Sequence, residues 1–247
     1  MNSLNPLAPV TDYQSMLNRI FWFTSASALV TIWMLRQHNP ALNSLLNQID
    51  LQVELSGDKT LPIPGGFLFP ALAVGMLTRV FRLHARVSDW LGIRETFDIE
   101  VIMREFAMEL DLDVTSLTYA QLAENRHSIM RSTFYAFVSG SHPAVDEQLI
   151  RQALDAWSWF WVGIEATLVF TLAGLGLIAS GAIVPGLETA GAAAGLAAFG
   201  LPAMRRQCAR YAIAQVRVIA DDPARSDTVR EVFAALSPAR YAVRRAA

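Results

Sequence analysis

Trp157–Val184 reads WSWFWVGIEATLVFTLAGLGLIASGAIV, and Glu165 is its only ionisable side chain. About 20 apolar residues cross the hydrocarbon core of a bilayer as a helix, and this run is longer. A soluble domain could bury such a segment only by enclosing it on every side. The rest of the chain cannot do that, because it carries further runs of the same kind. The sequence therefore states a solvent, a lipid bilayer, before it states any chemistry.

Working outward, no Pro or Gly interrupts Ala144–Trp161. A helix capped by Ser141 or His142 and opened by Pro143 is expected to run unbroken into the span, a rod of about 40 residues and roughly 60 Å. Pro185-Gly186 is expected to end it. Leu187–Met204, built almost wholly of Ala, Gly and Leu, is the fourth apolar segment, and Arg205, Arg206 and Arg210 close it. The tail continues as a helix through Ile219, stops at Asp221-Asp222-Pro223 and resumes from Ser226 to Leu236.

Upstream, Met1–Asn18 is a polar arm. Ile20–Leu35 is the first apolar run, long enough to span when Met16 and Leu17 are included. Arg19 is expected to snorkel to the near surface, with Trp22 and Trp33 at the two interfaces. A cleaved signal peptide is disfavoured, since the small residues Ser25–Ala28 lie inside the apolar run. In the connection Arg36–Ile63, Leu42, Leu45, Leu46 and Ile49 fall at helical spacing. Leu51–Leu55 then alternates with period two, Ser56-Gly57-Asp58 makes a turn, and Leu61 and Ile63 alternate again, which predicts a hairpin. Gly65–Leu83 is the second span, with Arg79, Arg82 and Arg86 at its far end.

His84–Leu154 is the one stretch long enough for a soluble domain. Phe97, Val101, Ile102, Phe106 and Leu110 share a helical stripe. Thr118 can cap a second helix carrying Tyr119, Leu122, Ile129, Met130, Phe134 and Phe137 on one face. The expected fold class is all-α, a polytopic membrane protein with four transmembrane helices, a cytoplasmic helical domain between spans two and three, and a short external β-hairpin. The expected divisions are 1–83, 84–154, 155–204 and 205–247.

Composition agrees. The 247 residues are 53% hydrophobic and only 17% charged, against about 25% charged in soluble domains; mean hydropathy is +0.32. The single cysteine, Cys208, excludes an internal disulfide. Lys59 is the only lysine, an arginine bias that fits a bacterial genome rich in GC. Basic residues mark the cytoplasmic ends of spans, and the arginines follow spans two and four. Both termini, residues 84–154 and the tail are therefore expected in the cytoplasm of a bacterial inner membrane, with 36–63 and 185–188 outside.

Three features invite a functional reading. Gly174, Gly176, Ala179 and Gly181 in one span, and Gly186, Gly191 and Gly195 in the next, let helix backbones approach closely in lipid. Gly191-Ala-Ala-Ala-Gly195 is a literal GxxxG. Gly174, Gly181, Gly191 and Gly195 are expected to serve either a hairpin of spans three and four, the preferred use of this surface, or a seam between copies of the chain. Glu165 needs a partner or a wet cavity, and Arg79 is the candidate at similar depth. A fixed structural pair is preferred to an ion or proton path, because one carboxyl without a second polar station makes a poor relay. Finally, residues 84–154 hold six arginines and eleven carboxylates, while 205–247 hold nine arginines and four carboxylates. The basic tail, through Arg205, Arg206, Arg210 and Arg217, is expected to meet either anionic lipid or the acidic domain. Nucleic acid is a poor match, since few aromatics interleave with that charge.

Catalysis finds no support in the sequence. His38, His84, His127 and His142 lie far apart without metal-ligand spacing, and no GxSxG, P-loop or dinucleotide fingerprint occurs. Asp111 and Asp113 read as a wet turn, as do Glu124, Arg126 and His127 on one helix face. No catalytic residue, metal or cofactor is expected. The sequence points to a non-catalytic, homo-oligomeric sensing, scaffolding or pore-gating protein with a cytoplasmic partner at 84–154. A membrane-disrupting effector or sensor of anti-phage defence, and a transporter or channel subunit, are the alternatives.

Overall fold

A computed structural model describes residues 5, 7–49, 51–55, 59–63, 65–112, 114, 117–139 and 143–236. The expected turn Ser56-Gly57-Asp58, the residues Asp113, Ser141 and His142, and the end of the tail with Arg240 lie outside the described residues. The chain divides into two compact units, 1–85 with 157–205, and 86–156 with 206–247. Among the described residues two helices, Glu147–Ala179 and Ile183–Ala220, are long and apolar enough to cross a membrane, or three if the bent pair Gly65–Val80 and Leu83–Trp90 counts as one span; the helix that carries the expected first span, Tyr13–His38, is not among them.

In the first unit, α1 runs Tyr13–His38. Asp12 caps it: its carboxylate accepts from Ser15 N at 2.7 Å, and Ser15 Oγ accepts from Asp12 N at 3.0 Å. That reciprocal bond starts the helix seven residues before the apolar run that was legible in sequence. Asn39 both closes α1, donating its N–H to Leu35 O, and opens α2 (Pro40–Asn47) by accepting from Leu42 N. Strands β1 (Leu51–Leu55) and β2 (Lys59–Ile63) pair antiparallel, Leu51 opposite Ile63 and Leu55 opposite Lys59.

Helix α3 (Gly65–Val80) returns along α1. A Cβ at Gly75 would stand 2.0 Å from Ser25 Oγ and 3.1 Å from Phe21 O, so glycine is what lets the two backbones meet. The second span was expected to continue to Leu83, but it breaks at Phe81-Arg82. Arg82 takes a left-handed φ of 48°, and α4 (Leu83–Trp90) leaves at 55° to α3.

In the second unit, α5 (Ile93–Phe97) passes into a π-helical segment, Asp98–Met103, and then α6 (Arg104–Glu109). The wider turn brings Phe97, Ile102, Met103 and Phe106 all inward, each no more than 3% exposed. Thr118 caps α7 (Tyr119–Thr133) with a full capping box: Gln121 N donates to Thr118 Oγ1, and Thr118 N donates to Gln121 Oε1. The expected single stripe on α7 holds for Ile129, Met130 and Phe134, but Tyr119 is half exposed. The helix kinks at Phe134 before the one-turn α8 (Tyr135–Val138).

The long helix, α9, spans Glu147–Ala179, 33 residues rather than 40. It ends at Gly181, whose φ is 87°, with Ala182 N reaching back to Leu177 O at 2.9 Å. Pro185-Gly186 is not the stop. Pro185 is the third residue of α10 (Ile183–Gly195), where a backbone N–H has no helical partner to lose. A second π-helical segment, Leu196–Gly200, leads into α11 (Leu201–Ala220). Asp222 caps the last described helix, α12 (Pro223–Ala234), through Arg225 N.

Candidate functional site

The first unit carries its polar side chains in bands. At one end, Arg19 is 4% exposed. Its Nη1 donates to Ser158 Oγ and its Nη2 to Ala8 O, both at 2.7 Å, and its guanidinium lies 4.9 Å from the Trp159 ring centre. The expected snorkelling does not occur, because residues before α1 fold back and supply a carbonyl where water was expected. At the same level Arg79 Nη1 donates to Asn18 Oδ1 at 2.7 Å, and Tyr13 OH lies 3.4 Å from His84 Nε2. At the opposite end Arg36 bonds Asn43 and Asn47 and covers the Phe67 ring at 4.0 Å. These contacts put the start of α1, the end of α3 and the apolar start of α9 together.

Glu165 sits one step deeper and is 1% exposed. The expected ion pair with Arg79 is not formed. Thr24 Oγ1 donates to Glu165 Oε2 at 2.5 Å, while Arg79 is held by Asn18, closer to the end of the unit. A similar position along the span does not make a charge pair, which needs contact. Thr24, on α1, was the residue that sequence reasoning missed. It carries no signal beyond being one hydroxyl in an apolar run.

The glycines separate into two groups. A Cβ at Gly174 would meet Ala190 N and Gly186 O at 2.9 Å, and one at Gly186 would meet Gly174 O at 2.8 Å. This is the contact between α9 and α10. Gly163 likewise faces Leu201 and Met204, so the returning helix stays beside α9. Gly181 makes the turn. Gly191 and Gly195 have nothing within 4 Å of where a Cβ would stand. The GxxxG face is thus not used within the described chain, and Leu187 and Phe199 nearby are 59% and 78% exposed.

In the second unit the basic tail and the acidic segment meet. Arg217 Nη2 lies 3.0 Å from Glu105 Oε1 and its Nε lies 2.9 Å from Glu109 Oε1. Gln215 Nε2 donates to Leu149 O at 3.4 Å and Arg225 Nη1 to Ala144 O at 3.2 Å. Helix α12 packs on α7, with Val229 and Phe233 buried. Among the other tail arginines, Arg210 is exposed, Arg205 is half-buried and Arg206 exposed.

Beside this contact lies a buried pair. Asp98, on the π-helical segment, is 4% exposed, and Arg126 on α7 is 9% exposed. Arg126 Nη1 lies 2.9 Å from Asp98 Oδ2, and its Nη2 is 3.1 Å from His127 Nε2. Burial pushes the Asp98 carboxyl up to about 6, against the opposing pull of the Arg126 guanidinium. The sequence reading took Arg126 for a wet face; the π-helical turn is what carries Asp98 inward to meet it. No group of three or more His, Cys, Asp or Glu side chains suited to a metal occurs among the described residues.

The chain matches the YmfE protein family over residues 12–235 and belongs to it. No curated protein and no solved structure matches it.

Proposed function

We propose that this member of the YmfE family is a non-catalytic, multi-pass protein of the bacterial inner membrane that forms homo-oligomers and presents a helical partner-binding domain to the cytoplasm. One observation carries the reading: a single compact unit is assembled from 86–156 and 206–247, fastened by Arg217 to Glu105 and Glu109 and by α12 on α7. A packed soluble unit lies on one side of a bilayer. The chain between its two segments must then cross an even number of times. If the apolar part of α9 crosses, the Ala- and Gly-rich helix after Gly181 crosses back, weak as its hydropathy is. For α1 and the bent α3 that count gives no constraint; an outgoing and returning pair there rests on the arginines that follow α3. That supports four spans, with β1 and β2 on the outer face.

Orientation follows from Arg79, Arg82, Arg86, Arg205, Arg206 and Arg210, the cationic ends that stay in the cytoplasm. Partner binding by the second unit is supported by the exposed pair Trp90 and Leu91, 83% and 55% accessible. Self-association is supported by the open Gly191/Gly195 face, which lets a second helix approach closely in lipid.

The test is subunit number in mild detergent. Gly191→Leu with Gly195→Leu should leave the fold intact and reduce the assembly to smaller species. Gly174→Leu, which drives a side chain into the backbone of α10, should instead destabilise the monomer. An unchanged subunit number in the double variant removes the seam, and a monomeric wild type removes the oligomer.

A further inference from the structure

We infer that Glu165 is a proton-binding site inside the membrane unit, holding a proton on Oε1 and exchanging it with water through His84. Among the described residues the carboxyl has no counter-charge. The groups that face it are Thr24 of α1, Thr78 of α3 and the backbone of His84 at the start of α4. None is ionised, and Arg79 is turned to Asn18. Thr24 occupies Oε2 at 2.5 Å, and Oε1 is buried without a hydrogen-bond partner. A carboxylate with no counter-charge and one oxygen lacking a hydrogen bond, 1% exposed within a span, is among the most expensive arrangements a bilayer permits.

A proton resolves both defects at once. It removes the charge, and it turns Oε1 from an orphaned acceptor into a donor. An acceptor is at hand in Thr78, which interacts with the carboxyl: its hydroxyl hydrogen is committed to Gly75 O at 2.9 Å, and its lone pairs remain able to accept. The exchange is balanced: one O–H bond forms on Oε1 as one breaks on the delivering group, and no other reactant is needed.

The route has a second station that the sequence could not reveal. His84 is 2% exposed, yet its Nε2 lies 3.4 Å from the hydroxyl of Tyr13, which is 49% exposed. Its ring is 5.9 Å from that of Trp161, one helical turn before Glu165 on α9. A neutral imidazole, donor on one nitrogen and acceptor on the other, can pass a proton between a wet phenol and a dry carboxyl.

Infrared difference spectroscopy on the full chain in liposomes tests this. Near neutral pH a carboxylic C=O band should be present, absent in Glu165→Gln, and shifted on transfer to D2O. His84→Phe should keep the band and slow the shift. Gln can still accept from Thr24, so the variant keeps the known bond. As a check independent of any variant, a hydrophobic carbodiimide should modify Glu165 in wild-type membranes, and replacing choline with sodium should not protect it. The site assignment is overturned if no Glu165-dependent band appears between about pH 5 and about pH 9, if the band never exchanges, or if sodium removes it. Exchange as fast in His84→Phe as in wild type overturns the route.

Discussion

Asp98 gives the second unit a stability that depends on pH with a definite sign. Its carboxyl ordinarily titrates at 3.8 and is pushed up to about 6 by burial. The folded state therefore binds this proton more tightly than the unfolded state. Full stability is present below pH 3.8 and is lost progressively as pH rises through the folded value near 6. One pKa unit is worth about 1.4 kcal/mol. Integrating the linkage relation between about pH 4.5 and about pH 7 gives a loss of about 2 kcal/mol from this group alone. The assay is hydrogen exchange of α7 and the π-helical segment in detergent, wild type beside Asp98→Asn. Asn keeps an oxygen for Arg126 but cannot titrate, so it should be less stable by a constant and lack the slope. Because His127 lies against Arg126, both proteins are measured again with His127→Gln. Parallel pH curves for wild type and Asp98→Asn would refute the reasoning, and would mean that the Arg126 guanidinium outweighs the burial cost.

Other outcomes follow from the same geometry. Phe233→Ala should destabilise the second unit by about 3–5 kcal/mol, seen as a cooperative loss of protection in α7, on which α12 packs; loss confined to α12 would show that the tail only rests there. A cysteine replacing Ser56 should react with an impermeant reagent on intact cells while native Cys208, 0% exposed, stays unmodified. Reaction of Cys208 in that experiment would reverse the orientation.

What was legible in the sequence was what periodicity and composition report directly. The apolar run beginning at Trp157, the cap at Thr118, the break at Asp221-Asp222-Pro223 and the inward set Phe97, Ile102 and Phe106 all depend on local pattern. Boundaries failed where a local signal had two readings. Pro185-Gly186 looks like a stop, yet proline suits the first turn of a helix as well as it ends one. Gly181, four residues earlier, had been counted as a packing residue, and its left-handed backbone is what turns the chain. The break at Arg82 had no signal at all, since arginine gives no hint of a positive φ.

The polar contacts were the least legible part, and the reason is geometric. Charge counting placed an acidic domain and a basic tail in one compartment, and it could name Arg217 among nine arginines. It could not find Glu105 and Glu109 as its partners, because both sit on a helix whose face is set by the π-helical segment before it. That extra residue per turn rotates everything after Met103. The same rotation hid Asp98 from view. Glu165 shows the converse. Its place inside an apolar run was plain, but the search for a partner looked for opposite charge. In lipid the cheaper solution is to avoid ionisation altogether, and the residues that allow it are Thr24 and Thr78, uncharged and on two other helices. A carboxyl deep in a span is therefore better read by asking which hydroxyls can reach it than by asking which arginine lies at its level.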